Sequence, residues 1–145
     1  MISCFDVAKY FLSLTDEDSG DLISNLKLQK LVYYAQGFHL AIFDGPLFGD
    51  NIIAWEHGPV IPILYHEYKD YGADAIPPQD FDPAIFSPEI RDLLDEVYSV
   101  FGQFSAWKLR NMTHEEPPWK DAYEGNGLVT HESMKEYFKT LVKND

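Results

Sequence analysis

The sequence predicts a mainly α fold, a compact single-domain helical structure around one central buried helix, with at most a small β-hairpin. Three observations carry that prediction. Apolar residues recur at three- and four-residue steps in several separate stretches, the spacing that gathers them on one helix face. Capping residues stand before those stretches, and glycine or proline follows them. Extended-looking runs are short and lie only around residues 47–55.

Taken in order, Ser3 is placed to cap a first helix from Cys4 to about Leu14, with Asp6 completing a capping box. Its stripe is Cys4, Val7, Ala8, Phe11 and Leu14. Thr15 to Asp21 is acidic, contains a glycine and reads as a solvated loop, including the run Asp16-Glu17-Asp18. Asn25 then caps a long helix from Leu26 to about Phe43. Leu28, Leu31, Ala35, Phe38 and Ile42 make one face, and Val32, Tyr33, Tyr34, Leu40 and Ala41 fill much of the remaining circumference. A helix apolar on most sides belongs at the centre of the core. Asp44-Gly45-Pro46 ends it. Leu47-Phe48 and Ile52 to Trp55 are expected to pair as a small hairpin about the turn Gly49-Asp50-Asn51.

A third helix is expected from about Val60 to Tyr71, with Pro62 in its first turn and Gly72 as its stop. Ile61, Leu64, Tyr65 and Tyr68 face inward. Pro77, Pro78 and Pro83 make Ala75 to Phe86 a surface loop. Ser87-Pro88-Glu89 starts a fourth helix whose face is Ile90, Leu93, Leu94, Val97 and Phe101, and Gly102 ends it. Ser105 caps a short fifth helix to about Met112. Thr113 to Gly127, which holds Pro117, Pro118 and Trp119, is expected to be irregular. A capping-box pattern at Ser133-Met134-Lys135-Glu136 opens the final helix, with Met134, Tyr137, Phe138 and Leu141 facing in.

Charge narrows the function. Twenty-four Asp and Glu against 11 Lys and Arg leave a net charge of −13. Nucleic-acid binding draws most of its affinity from neutralised phosphates, which such a surface repels, so no direct nucleic-acid partner is expected. A basic protein partner is the matching expectation, with solubility as the plainer use of the charge. No apolar run approaches the ~20 residues that span a bilayer, and the first residues lack a basic stretch followed by an apolar one. A single cysteine fits a reducing compartment. A cytoplasmic protein with no membrane partner is expected.

The usual catalytic patterns do not assemble. His114-Glu115-Glu116 lacks the four-residue histidine spacing of zinc proteases, and Pro117-Pro118 follows at once. Cys4 sits on an apolar stripe, where a buried, inert thiol is the expectation. Neither a glycine-rich phosphate loop nor a nucleophile elbow is present. No cofactor, metal or catalytic residue is expected. Trp55 and Trp119 stand apart from the helical aromatics because each lies beside a proline-containing joint. There an aromatic serves either as a lid on the core or as an exposed anchor for a partner.

Three blocks give the chain a likeness. They are Lys27-Leu28-Gln29-Lys30-Leu31-Val32-Tyr33-Tyr34-Ala35-Gln36-Gly37-Phe38-His39-Leu40-Ala41, then Pro46-Leu47-Phe48 with Ile53-Ala54-Trp55-Glu56-His57-Gly58-Pro59-Val60-Ile61-Pro62 and Tyr65, Tyr68, Lys69, Tyr71 and Gly72 beyond it, and Leu109 with Thr113-His114-Glu115-Glu116-Pro117-Pro118-Trp119, ending near Ala122. In that order they resemble the SocA-like antitoxin, or Panacea domain, family, with the whole of 1–145 read as one such domain and no appended DNA-binding domain. The resemblance implies an antitoxin-type binding module of a bacterial or prophage toxin–antitoxin pair. It implies a cognate toxin neutralised by direct contact, and in some members delivery of that toxin to an energy-dependent protease. Trp55, His57, Gly58, Pro59, Tyr65, Lys69, His114 and Trp119 become the candidate partner-binding residues, expected near one surface. Two rivals stand beside this: a small hydrolase or metal-dependent enzyme using His57, His114 and Glu115, and a phage host-interaction protein. The toxin's identity, the stoichiometry and the oligomeric state are not legible in the sequence.

Overall fold

In the computed structural model, residues 2–16 and 22–142 are described. Most of the expected acidic loop, including Glu17 and Asp18, lies outside them. Helix α1 (Cys4–Ser13) opens as expected: the Ser3 hydroxyl accepts the Asp6 amide hydrogen, and the Asp6 carboxylate accepts that of Ser3. Cys4, Val7, Ala8 and Phe11 are fully buried, and burial, then the nearby Asp50 carboxylate, pushes the Cys4 thiol up to about 12. The thiol is therefore protonated and unreactive at neutral pH.

The central helix is α2 (Asn25–Phe43), and every residue from Lys27 to Gly37 is buried. Its cap is Ser24, not Asn25: the Ser24 hydroxyl accepts the Lys27 amide hydrogen. Asn25 is freed to turn inward, where Nδ2 donates to the Tyr65 carbonyl. Its other end reaches Asp44, whose backbone takes the left-handed conformation that terminates the helix.

The hairpin differs from expectation. Strand β1 (Ile52–Trp55) pairs with β2 (Gly58–Val60), with Trp55 opposite Gly58, Ala54 opposite Pro59 and Ile53 opposite Val60. The turn is therefore Glu56-His57. Leu47 and Phe48 form no strand because a side chain occupies their backbone: Gln36 Oε1 accepts from the Leu47 amide at 2.7 Å, and Gln36 Nε2 donates to the Phe48 carbonyl at 2.8 Å. A two-residue strand, β3 (Leu128–Val129), pairs antiparallel with the other edge of β1, giving the order β2-β1-β3.

Because Val60 is committed to the sheet, α3 (Pro62–Glu67) starts at the proline, later than expected, and a separate 3-10 turn, Lys69–Tyr71, follows. The proline-containing loop holds another such turn, Pro83–Ile85. Helices α4 (Pro88–Phe101) and α5 (Ala106–His114) are capped by Ser87 and Ser105 as the sequence predicts. The region expected to be irregular contains α6 (Pro117–Glu124), so Trp119 is a helical residue. The two prolines interrupt nothing there: they occupy the first turn, where no helical amide hydrogen bond is required. The last helix, α7 (His131–Lys139), starts earlier than expected, capped by Thr130, with Ser133 donating its amide hydrogen to the cap. α7 crosses α2 so closely that a Cβ at Gly37 would lie 2.2 Å from the Phe138 ring. The fold is mainly helical, with one small sheet set against the N-terminal half of α2.

Candidate functional site

Polar side chains on α2 build the frame of the site from inside. Gln29, Lys30 and Gln36 are fully buried, a position that demands partners for every donor and acceptor. Gln29 Nε2 donates to Asn25 Oδ1, and its Oε1 accepts from the Ile61 amide at 2.9 Å. Lys30 Nζ donates to the Pro59 carbonyl at 3.2 Å. Burial, then the Arg110 cation, brings the Lys30 amine down to about 7. One turn further on, the Tyr33 and Tyr34 hydroxyls donate to the two oxygens of Glu116 at 2.9 and 2.8 Å. Burial raises Glu116 to about 7 although both phenols favour its ionised form.

Gly58 is required where these layers meet. Its φ is +109°, and a Cβ there would come within 2.5 Å of Lys30 Cε and 2.9 Å of Thr113 Oγ1. The hairpin thus lies directly on α2 and α5, and Glu116 fastens the start of α6 to the same helix. Segments far apart in the chain are thereby tied to one helix.

Above that frame the aromatics converge. Trp119 Nε1 donates to the Trp55 carbonyl at 2.8 Å, and the Trp55 ring meets Tyr65 edge-on with centroids 5.2 Å apart. His114 lies over Trp119 at 4.0 Å, and Tyr123 stacks on the same indole at 4.6 Å. The His114 ring also spans α5 and the hairpin, with Nδ1 2.6 Å from the Arg110 carbonyl oxygen and Nε2 2.7 Å from that of Glu56. Trp55, Tyr65, His114 and Trp119 therefore share one neighbourhood. Gly58, Pro59 and Trp119 are buried beneath it, whereas His57 and Lys69 are exposed and make no side-chain hydrogen bond among the described residues.

Sequence reasoning missed two exposed aromatics, Trp107 on α5 and Tyr123 on α6. Trp107 is the most exposed large apolar side chain described, at 64%, and the Arg110 guanidinium lies 4.7 Å above its ring. Tyr123 is 51% exposed on the far side of Trp119. The available signal was the spacing Trp107–Arg110, which places a cation one helical turn from an aromatic.

The family model described as Antitoxin SocA-like, Panacea domain matches residues 28–120, more than half of the chain. The chain belongs to that family. It is 31% identical over 124 residues to Antitoxin SocA of Caulobacter vibrioides (strain NA1000 / CB15N), with 72% of this chain and 62% of that protein covered. The chain thus spans less than two-thirds of the length of that relative. No solved structure matches significantly.

The span matching the Panacea family runs from α2 into α6 and includes the whole frame from Gln29 to Glu116. What the family signature visibly does in this molecule is to hold the hairpin, α5 and α6 on one helix. The three residues of the enzymatic rival have separate settings. Both ring nitrogens of His114 face backbone carbonyls, Glu115 is exposed and pairs with Lys120 at 3.7 Å, and His57 projects from the turn. Among the described residues, no three His, Cys, Asp or Glu side chains are grouped to share a metal ion. No helix among them is long and apolar enough to cross a membrane.

Proposed function

We propose that this chain is the antitoxin-type binding module of a bacterial or prophage toxin–antitoxin pair, acting as one domain that neutralises a cognate toxin by direct contact. The observation that carries the reading is the convergence of the family's blocks on one rigid, aromatic-rich surface at the hairpin turn. A surface fixed in advance loses little conformational entropy on binding. Half-buried Trp55, Tyr65 and His114 form its outer layer, with exposed His57 in the adjoining hairpin turn and Lys69 on the exposed turn after α3. Gly58, Pro59 and Trp119 hold that layer from beneath. The net charge of −13 favours a toxin with a basic face.

The test is co-expression with the product of the adjacent gene. Growth rescue and co-purification are expected, with both weakened by a His57→Ala/Lys69→Ala chain that retains its fold. A neighbour that is harmless when expressed alone would overturn the antitoxin reading. Repeating the rescue in a host lacking its energy-dependent proteases separates masking, which persists there, from delivery for degradation, which is lost.

A further inference from the structure

A second surface lies at the other end of α2. Phe38 and Ile42 of α2, Leu93, Glu96, Val97, Val100 and Phe101 of α4, and Leu141 and Val142 after α7 enclose an open groove of about 420 Å³. Its floor is apolar, and Ile42, Val100 and Leu141 leave between 38 and 49% of their surface in water. Lys30 and Ile42 are twelve residues apart on α2, ~18 Å along the helix axis, so this groove is separate from the hairpin cluster.

The α4 border of the groove is acidic. Glu96 lines it, and Asp92 and Glu89 stand one and two turns earlier on the same row of α4, all three exposed. At the C-terminal end of α2, Lys135 of α7 pairs with Asp44, and Lys139 adds to the positive field on that carboxylate. Lys135 is paired within the molecule, while Glu89, Asp92 and Glu96 of α4 form no ion pair with any described residue. An apolar trough flanked by a row of unpaired acids fits a helix with an apolar face and Lys or Arg on its flank.

We propose that this groove docks a basic amphipathic helix of a protein partner. The proposal rests on the reading of the chain as a protein-binding module and adds a second contact surface to it. Apolar side chains of the partner helix enter between Phe38, Val97 and Leu141, and its basic flank pairs with Glu89, Asp92 and Glu96.

The test titrates the full chain with a synthetic helical peptide, ~14 residues long to match α4, with leucines on one face and lysines on the flank. Saturable binding is expected, with methyl resonance shifts at Ile42, Leu93, Val97, Val100 and Leu141. Affinity should fall ~10-fold or more for Val100→Glu and for the Asp92→Lys/Glu96→Lys chain, each shown to be folded by circular dichroism. Three peptide results would overturn the proposal: no saturable binding, equal binding of the isomer with glutamates in place of lysines, or shifts around Trp55 and Trp119 in place of the groove. It would also be overturned if the chain alone forms pairs in sedimentation and Val100→Glu separates them, because the occupant is then a second copy. Growth rescue plays no part in these readouts, so the groove can fail while the antitoxin reading stands, and the reverse.

Discussion

The two halves of α2 make opposite use of the same helix. From Lys27 to Gly37 it is buried on all sides, and its polar groups secure distant segments: Gln29 the Ile61 backbone, Lys30 the Pro59 carbonyl, Gln36 the Leu47 backbone, and Tyr33 and Tyr34 the Glu116 carboxylate. From Phe38 to Phe43 it carries Ile42 and Phe43, both more than 40% exposed, beside a groove that the fold leaves open. A buried polar group without its partner costs far more than an exposed apolar one, so the first half tolerates little change and the second much. Shape is set at one end, and free surface is left at the other.

The strongest way to break that contrast is to remove Glu116. Glu116→Leu leaves the Tyr33 and Tyr34 hydroxyls buried without an acceptor, each at about 1–3 kcal/mol, for a total loss of about 3–5 kcal/mol. Urea unfolding at pH 7 reads it directly. Adding Tyr33→Phe and Tyr34→Phe to Glu116→Leu should restore much of the loss, since no donor is then left stranded. If the single change costs less than about 1 kcal/mol, the pinned half is no more demanding than the open one.

Gly58→Ala comes next, at about 2–3 kcal/mol. The new methyl group meets both an unfavourable φ of +109° and the Lys30 side chain, which is packed and has no room to swing away. Thermal unfolding measures the cost. A neutral result would show that the hairpin is less firmly seated on α2 than its distances imply.

How legible these features were depended on whether their causes were local. The α1 capping box was readable because Ser3 and Asp6 act within one turn, and the buried status of α2 because its apolar residues surround the helix. The hairpin was misassigned because the group that occupies Leu47 and Phe48 is Gln36, a side chain from another element. Helix α6 was missed because Pro117-Pro118 terminates one helix pattern and equally well opens another, and only the anchoring of Glu116 by Tyr33 and Tyr34 makes it an opening. At the site, the joint of Trp55 and Trp119 was visible from composition. The internal polar frame was not, since Gln29 and Lys30 look like solvent-facing helix positions until their partners, some thirty residues away, are in place.

A pH series sharpens the contrast without disturbing the packing. Glu116 is raised from 4.5 to about 7 in the fold, so its contribution to stability is fully present below 4.5 and is lost as pH rises through about 7. Lys30 is lowered from 10.5 to about 7, so its contribution is present above 10.5 and is lost as pH falls towards about 7. Stability should therefore fall between pH 4.5 and 7 and recover above 7 wherever these two groups dominate. Glu116→Gln is expected to flatten the lower limb and Lys30→Met the upper one, both read by thermal unfolding across pH. A variant that leaves its limb unchanged removes that group from the account.

The smallest effect belongs to the open half. Val100→Ser removes two methyl groups from a side chain that water already reaches, at 38% exposure, and leaves the buried Leu94 and Val97 of the same helix in place. Its cost should stay within about 0.5 kcal/mol, read by urea unfolding with an unchanged denaturant slope. A loss of about 2 kcal/mol or more would mean that the groove wall supports the core, and the division of α2 into a structural half and a free half would no longer hold. A small loss accompanied by weaker binding of the basic helical peptide is the combination expected of a surface whose apolar side chains are kept for a partner.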